Sequence, residues 1–299
     1  MKISVLFPVY KPEPVQLVEA IESIKNQTFE DFECLFLYDA PTKEISELLN
    51  NYTKSDMRFR IIKADGKGLA HALNLGLEAS GGEFVARMDA DDISLPRRFF
   101  LQLQLIEDSS LDIVGGDYYV IDNSGIIVDS RLVPKNQAQI CVVMAKGVPF
   151  VHSSVMIRKK AMDSMCLKYS VDRHVVAEDY ELWTQMYLHG FKFGNVNDWI
   201  LKFRDSDTSL NKKVYASSVK SARNISRSFI SLNLYNLIIA SNQMFPHRLD
   251  KSNQEALAYF IFKVVFLYGR FDQLANLKRI TLRNKVIAAL AVINEIFNC

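Results

Sequence analysis

Three carboxylates crowd into four positions, Asp89, Asp91 and Asp92, within the stretch ARMDADDISLP (86–96). Mutual repulsion makes such a cluster costly unless something positive neutralises it. Carboxylates at i and i+2 across a strand-to-loop corner can approach one hard divalent ion, which prefers oxygen ligands. Such an ion could bridge the phosphates of a nucleotide and neutralise charge on a leaving group. The alternative is a solvated acidic turn, since Asp is common in turns. A buried apolar strand before the cluster and Pro96 after it favour the metal.

Other candidates are scattered along the chain. Asp39 ends the apolar run LFLYD, where it can accept from the N–H of a base or cap the helix that follows. Pro8 and Tyr10 close the run ISVLFPVY and can offer a flat surface to a base or pack in the core. Lys67, in ADGKGLAHALN, lies near a helix start where backbone N–H groups and an ammonium can meet phosphate. The Gly66-Lys67-Gly68 turn matches no complete phosphate-binding fingerprint. Glu178-Asp179 opens a helix whose dipole favours carboxylates there, and the same dipole keeps an Asp ionised, as a general base for a hydroxyl must be. His152, in PFVHSSVMIR, is either a substrate contact or a hydrogen-bonded core histidine.

The elements that must hold these residues follow from periodicity. ISVLFPVY (3–10), CLFLYD (34–39), FRIIK (59–63) and EFVARMD (83–89) read as buried strands. Helical patterns lie between them: Val15 to Ile24, KEISELLNNY (43–52) and GLAHALNLGLEA (68–79), with another beginning at Pro96. Alternation of this kind predicts a parallel sheet covered by helices, with ligands beyond the carboxyl ends of the strands. Pro8 to Tyr10, Asp39 and Asp89 to Asp92 all fall at such ends. From about residue 112 the rhythm changes to short strands around an Asn-Ser-Gly turn. A helix over 178–189 stops at Gly190, and strands through FKFGNV and WILKFR follow. Beyond Asn211 the pattern is helical, with apolar or amphipathic segments at 217–240, 254–268 and 285–297.

Composition narrows the function classes. The 299-residue chain is 49% hydrophobic and 23% charged, with a net charge of +2, which argues against a general nucleic-acid binder. That balance hides an asymmetry: residues 211–299 carry +9 and residues 1–210 carry −7. An acidic front suits a metal-dependent site, and a basic apolar tail suits an anionic surface. Cys34, Cys141, Cys166 and Cys299 are far apart, which excludes a CxxC zinc or redox pair and fits a reducing cytosol. The start lacks a signal-peptide pattern, and no window of about 18 uncharged apolar residues predicts a spanning helix.

The order of motifs resembles family 2 glycosyltransferases of the GT-A fold, over roughly residues 1–205. SVLFPVYKPE, NQTFEDFECLFLYDAPT, GKGLAHALNLGLEASGGEFVARMDADDISLPRR and AEDYELWTQM carry the likeness. PFVHSSVMIRKKAM is similar to a segment of bacterial members that build O-antigen or capsule polysaccharide. The resemblance implies a Rossmann-like, mostly parallel α/β sheet flanked by helices, with a catalytic domain over 1–210 and a basic helical extension over 211–299. It implies a nucleotide-sugar donor, usually UDP-linked, a glycan or lipid-linked acceptor, and inversion at the anomeric carbon. By position, Pro8, Tyr10 and Asp39 would hold the base and ribose, with Lys67 on the donor side. Asp89 would contact ribose or the metal-bound diphosphate, and Asp91 would bind Mn²⁺ or Mg²⁺. Asp179 would take the acceptor's proton, and Glu178, Asp92 and His152 would support the site.

The chain departs from the family pattern at Tyr38, where an acid is common, at Gly66 and Leu73, where Asn and Arg are common, and at Ser206, where a histidine is frequent. These changes put a histidine metal ligand and detailed phosphate contacts in doubt. The expected protein is a cytoplasmic transferase, peripheral on the inner membrane face if 211–299 binds lipid; those helices could equally pack on the core or form a dimer. Competing readings are a sugar nucleotidyltransferase, which gives Asp179 no role, and a non-catalytic nucleotide-sugar-binding subunit.

Overall fold

The computed structural model describes residues 1–39, 42–145, 147–172, 177–205 and 215–243. The chain runs β1 (Ile3–Tyr10), α1 (Pro14–Lys25), β2 (Phe32–Asp39), α2 (Lys43–Ser55), β3 (Phe59–Lys63), α3 (Leu69–Ala79) and β4 (Phe84–Arg87). It continues through β5 (Ile93–Ser94), α4 (Arg98–Asp108), β6 (Ile113–Ile121), β7 (Ile127–Arg131) and α5 (Gln137–Met144). A 3₁₀ turn (His152–Ser154), β8 (Met156–Arg158), α6 (Lys159–Ser164), α7 (Glu178–Leu188), β9 (Phe193–Arg204) and α8 (Tyr215–Gln243) complete the described elements.

The strands form one sheet in the order β3-β2-β1-β4-β8-β6-β9-β5, with β7 hydrogen-bonded to the outer part of β6. β3, β2, β1 and β4 are mutually parallel, as are β6 and β9. β8 enters antiparallel between β4 and β6. The mostly parallel α/β sheet expected from the sequence is therefore present.

Both faces of the central strands are buried. Ile3, Val5, Phe7 and Val9 of β1 join α1 (Leu17, Ile21, Ile24) and α4 (Phe99, Leu103, Ile106) in one core. Leu6 and Leu37 face α3, which approaches so closely that a Cβ on Gly76 would lie 2.8–2.9 Å from their methyls. Pro8 survives in a central strand because β4 pairs β1 only as far as Leu6. Leu6 turns its polar backbone toward β4, accepting from Met88 N. Pro8, two residues on, turns the same way, so its missing N–H faces a place where the ladder has already ended.

Several boundaries differ from the sequence expectation. The strand expected over 83–89 stops at Arg87, because the chain turns into the acidic stretch. The helix expected at Pro96 starts at Arg98, because Ile93 and Ser94 first pair with β9 and Leu95 bonds Ile200. FKFGNV and WILKFR belong to one strand, β9, rather than two. The register against β6 skips from Val196 to Trp199, so exposed Asn197 and Asp198 bulge out of a continuous strand.

The chain separates into two compact units: 1–133 with 150–215, and 134–149 with 216 onward. In the second, Ser226 Oγ of α8 donates to Ala145 O at 2.6 Å, and α8 departs from helical geometry at Asn233. α8 covers the first expected C-terminal segment, while 254–268 and 285–297 lie outside the described residues.

Candidate active site

The acidic turn leaves the sheet at the carboxyl end of β4, and its three side chains have different surroundings. Ligand oxygens of Asp89, Asp91 and Asp92 lie within 4.8 Å of one another. Asp89 is paired with the buried guanidinium of Arg87. Asp92 is fully buried and held at both oxygens: Ser153 Oγ donates to Oδ2, and the backbone N–H of Arg204 donates to Oδ1 at 2.8 Å. Asp91 is only partly buried, and among the described residues no other side chain bonds its carboxylate.

Two arginines brace the turn from behind. Arg204, buried at the end of β9, donates from Nε to Asp91 O at 2.8 Å and pairs with Glu19 at 2.7 Å. Its Nη1 also reaches the carbonyls of Asp122 and Asn123 at 2.9 and 3.0 Å. Arg98, fully buried in α4, donates to Arg87 O at 2.8 Å and Val155 O at 3.3 Å, and burial pushes its pKa down to about 9.

Crowding shows in the carboxyl groups. Burial, then the neighbouring charge of Asp89, lifts the Asp91 pKa to about 6. Asp92 is pushed well above the usual carboxylate range, chiefly by burial and then by Asp89 and Asp91. A site that disfavours its own negative charge is one that a cation would relieve. The donor set is all oxygen, which suits Mg²⁺ or Mn²⁺ rather than zinc. The residues therefore fit a divalent ion, with Asp91 as the free ligand and Asp92 already committed to holding the turn.

α7 brings the second acidic corner to the same place. Asp179 Oδ1 accepts from Tyr180 N at 2.7 Å. Burial raises the Asp179 pKa, while that hydrogen bond and the charge of Arg87 pull it back. Glu178 is lifted to about 7 by burial and then by Asp179. Both acids also feel the charges of Asp89 and Arg87, so the two acidic corners, some 90 residues apart in the chain, interact electrostatically.

The remaining expected residues divide. Tyr10 is half-exposed at the end of β1, in register with Asp39 at the end of β2, and Lys11 lies 5.3 Å over its ring. Pro8 is buried just below. Lys67 pairs with Asp65 in an exposed turn, and no contact among the described residues ties it to the acidic turn. His152 is a hydrogen-bonded histidine, with Nε2 3.0 Å from Tyr169 Oη, and burial holds its pKa well below the ordinary value. The departures at 38 and 73 also have local roles: Tyr38 Oη bonds Ser46 Oγ at 2.8 Å, and Leu73 is wholly buried. Ser206 lies outside the described residues.

Arg87, Arg98, Ser153 and Arg204 were not singled out by sequence reasoning. Only Arg87 left a legible signal, a lone charge inside the apolar run EFVARMD.

With this geometry in place, comparison with known proteins is informative. The sequence profile of Glycosyl transferase family 2 matches residues 4–165. The amylovoran biosynthesis glycosyltransferase AmsE of Erwinia amylovora is 30% identical over 254 residues, 81% of this chain and 94% of that protein. The O-antigen biosynthesis glycosyltransferase WbnJ of Escherichia coli is 28% identical over 217 residues, 72% of this chain and 84% of that protein. Among solved structures, TarS 1–349 of S. aureus in complex with UDP superposes with a TM-score of 0.59 at 16% identity, covering 95% of this chain and 77% of that one. The mannosyltransferase PcManGT from Pyrobaculum calidifontis, in complex with GDP-Man and Mn²⁺, gives 0.55 at 13% identity, covering 99% and 80%. A sheet of GT-A type, a profile match over more than half the chain and the identity to AmsE together establish that this chain belongs to glycosyl transferase family 2 and is a glycosyltransferase.

Proposed function

We propose that the enzyme is a metal-dependent, inverting transferase that moves a sugar from a UDP-linked donor to a hydroxyl of a growing surface glycan or lipid-linked oligosaccharide. The observation that supports this reading is that the acidic turn and the first turn of α7 share the influence of one buried guanidinium, Arg87, which pairs with Asp89 and whose charge Asp179 feels. TarS structures with UDP and UDP-GlcNAc support the donor class, and the names of AmsE and WbnJ support the kind of product.

In this mechanism Tyr10, Pro8 and Asp39 receive the nucleotide at the ends of β1 and β2, as their shared edge of the sheet suggests. Asp91, with Asp89, would hold Mn²⁺ or Mg²⁺, which supplies positive charge where the diphosphate departs. Asp92 fixes the turn through Ser153 and Arg204. Asp179 removes the proton from the acceptor hydroxyl as its oxygen bonds the anomeric carbon, and the bond to the diphosphate oxygen breaks on the opposite side. Burial strengthens Asp179 as a base, and Arg87 keeps it from being neutralised outright. One base and a direct displacement give inversion.

The catalytic segment in this proposal is 1–210, and the +9 segment 211–299 would hold it against the inner face of the membrane rather than pack on the core or form a dimer. No helix among the described residues is long and apolar enough to cross a membrane. Sedimentation with anionic liposomes, with and without residues 211–299, tests the placement. The catalytic reading is tested by UDP release from a panel of UDP-sugars with Mn²⁺, comparing wild type with Asp179→Asn. Loss of turnover in the variant is expected, and unchanged turnover removes the assignment of the base.

A further inference from the structure

The His152–Ser154 turn is bonded at one end to the metal-binding corner and packed at the other against the helix that carries the base. Ser153 Oγ donates to Asp92, and both residues are buried. Gln102 Nε2 grips Ser154 O at 2.7 Å, and Ser154 Oγ donates to Val151 O at 2.7 Å, so the turn itself is fixed. Beside Ser153, the His152 ring meets the wholly buried Trp183 of α7 edge to face, with centroids 5.8 Å apart at 82°. Trp183 stands four residues after Asp179, one helical turn along the same side of α7. His152 also bonds Tyr169, whose backbone is clamped by one side-chain amide of α3. Asn74 Nδ2 donates to Tyr169 O, and Tyr169 N donates to Asn74 Oδ1, each at 2.9 Å.

We propose that this turn sets the base-bearing end of α7 against the acidic turn, with His152 as a positioning residue that does not touch substrate. The path runs Asp92–Ser153–His152–Trp183 and ends one helical turn from Asp179. Tyr169, tied to α3 and to His152, closes it from the other side. Burial keeps His152 neutral and the Tyr169 hydroxyl protonated, so the link carries no charge that would compete with the carboxylates. This inference rests on Asp179 being the base, because a helix without a reacting group needs no such placement. Displacing a reacting group by about 1 Å can cost about 100-fold in rate.

The test uses the full-length protein and three variants: His152→Leu, His152→Gln and Asp179→Asn. His152→Leu should lower kcat for UDP release about 100-fold. Its affinity for UDP with Mn²⁺, measured by calorimetry, should stay within about twofold of wild type, because the donor side is untouched. His152→Gln, which can still bond Tyr169, should restore most of the rate. Hydrogen exchange adds a readout independent of turnover: UDP with Mn²⁺ should increase protection of peptides over 178–188 in wild type but not in His152→Leu. A purely structural role would lower protection equally with and without nucleotide. If His152→Leu does not fold, Tyr169→Phe removes the bonded hydroxyl and carries the same expectations with a smaller loss. Wild-type kcat in His152→Leu while Asp179→Asn is dead overturns this inference alone. Equal turnover in Asp179→Asn and wild type overturns it together with the base assignment.

Discussion

Replacing Asp91 with Asn should make the metal-free protein more stable, by an amount that grows with pH. The carboxyl of Asp91 titrates at about 6 in the folded chain against an ordinary value of 3.8. Its folded pKa is raised, so its stabilising contribution is fully present below about pH 3.8 and is lost as pH rises through about 6. At about 1.4 kcal/mol per pH unit, wild type should forfeit about 1.5 kcal/mol at pH 5 and about 3 kcal/mol at pH 8. Asn carries no charge at either pH and escapes the loss. For a unit of this size the gain corresponds to about 6–12 °C in Tm at pH 8 and about half of that at pH 5. Thermal unfolding with a chelator, at both pH values, reads the difference. Adding Mn²⁺ at pH 8 should then raise the wild-type Tm well above its effect on the variant, because the ion meets the charge that burial had penalised. An Asp91→Asn variant no more stable than wild type at pH 8, or equally stabilised at both pH values, would refute the electrostatic argument.

Glu178→Gln should stabilise the chain above pH 7 by up to about 3 kcal/mol, with little change below pH 4.5, because burial and Asp179 lift that acid from 4.5 to about 7. Arg204→Leu removes the partner of Glu19 and the donors to Asp91, Asp122 and Asn123, so urea unfolding should show a loss of about 3 kcal/mol and calorimetry a weaker affinity for Mn²⁺. Gly82→Ala would place a Cβ 2.6 Å from Ser4 N and 2.7 Å from Ile3 C. Backbone cannot yield as a side chain does, so about 2–3 kcal/mol should be lost in the urea midpoint, without change in UDP affinity per folded molecule.

What the sequence disclosed, and what it hid, follows from the range of the interactions involved. Three of the four parallel strands, β1, β2 and β4, were legible because each is a short apolar run buried on both faces, while β3, at the sheet edge with only Phe59 fully buried, was marked by its β-branched residues between turns. Their carboxyl ends marked Tyr10, Asp39 and the acidic turn without any tertiary knowledge. β8 and the continuity of β9 were not legible. Three residues, Met156 to Arg158, cannot display a period, and the polar Asn197-Asp198 looks like a break when it is a bulge. α5 and α6 are similarly short, with 8 and 6 residues. The braces of the site were hidden for a different reason. Arg204 reaches Asp91 and Asp92 across more than 110 positions, and Ser153 reaches Asp92 across 61. A serine or an arginine in a strand or turn gives no local sign of such a partner.

The three carboxylates also explain why a count of acids could not assign roles. Within 4.8 Å of one another they cannot all remain charged without compensation, and the fold compensates two of them differently. Asp89 is given a buried guanidinium. Asp92 is given a hydroxyl and a backbone N–H. Both partners are internal, so both groups are held in place whether or not ligand is present, and Asp89 keeps its place beside Asp91 for the ion. Asp91 is left with burial and repulsion that the charges of Arg87 and Arg204 offset only in part, and among the described residues it is the one of the three without a side-chain hydrogen-bond or ion-pair partner. A cation entering this corner therefore gains most from the one carboxylate that structure has left unsatisfied. The rigidity of the other two means that little ordering remains to oppose binding. Selectivity for a hard divalent ion would then come from the asymmetry of the cluster, and Asp91→Asn and Asp92→Asn would not be equivalent even though the two residues are adjacent and identical.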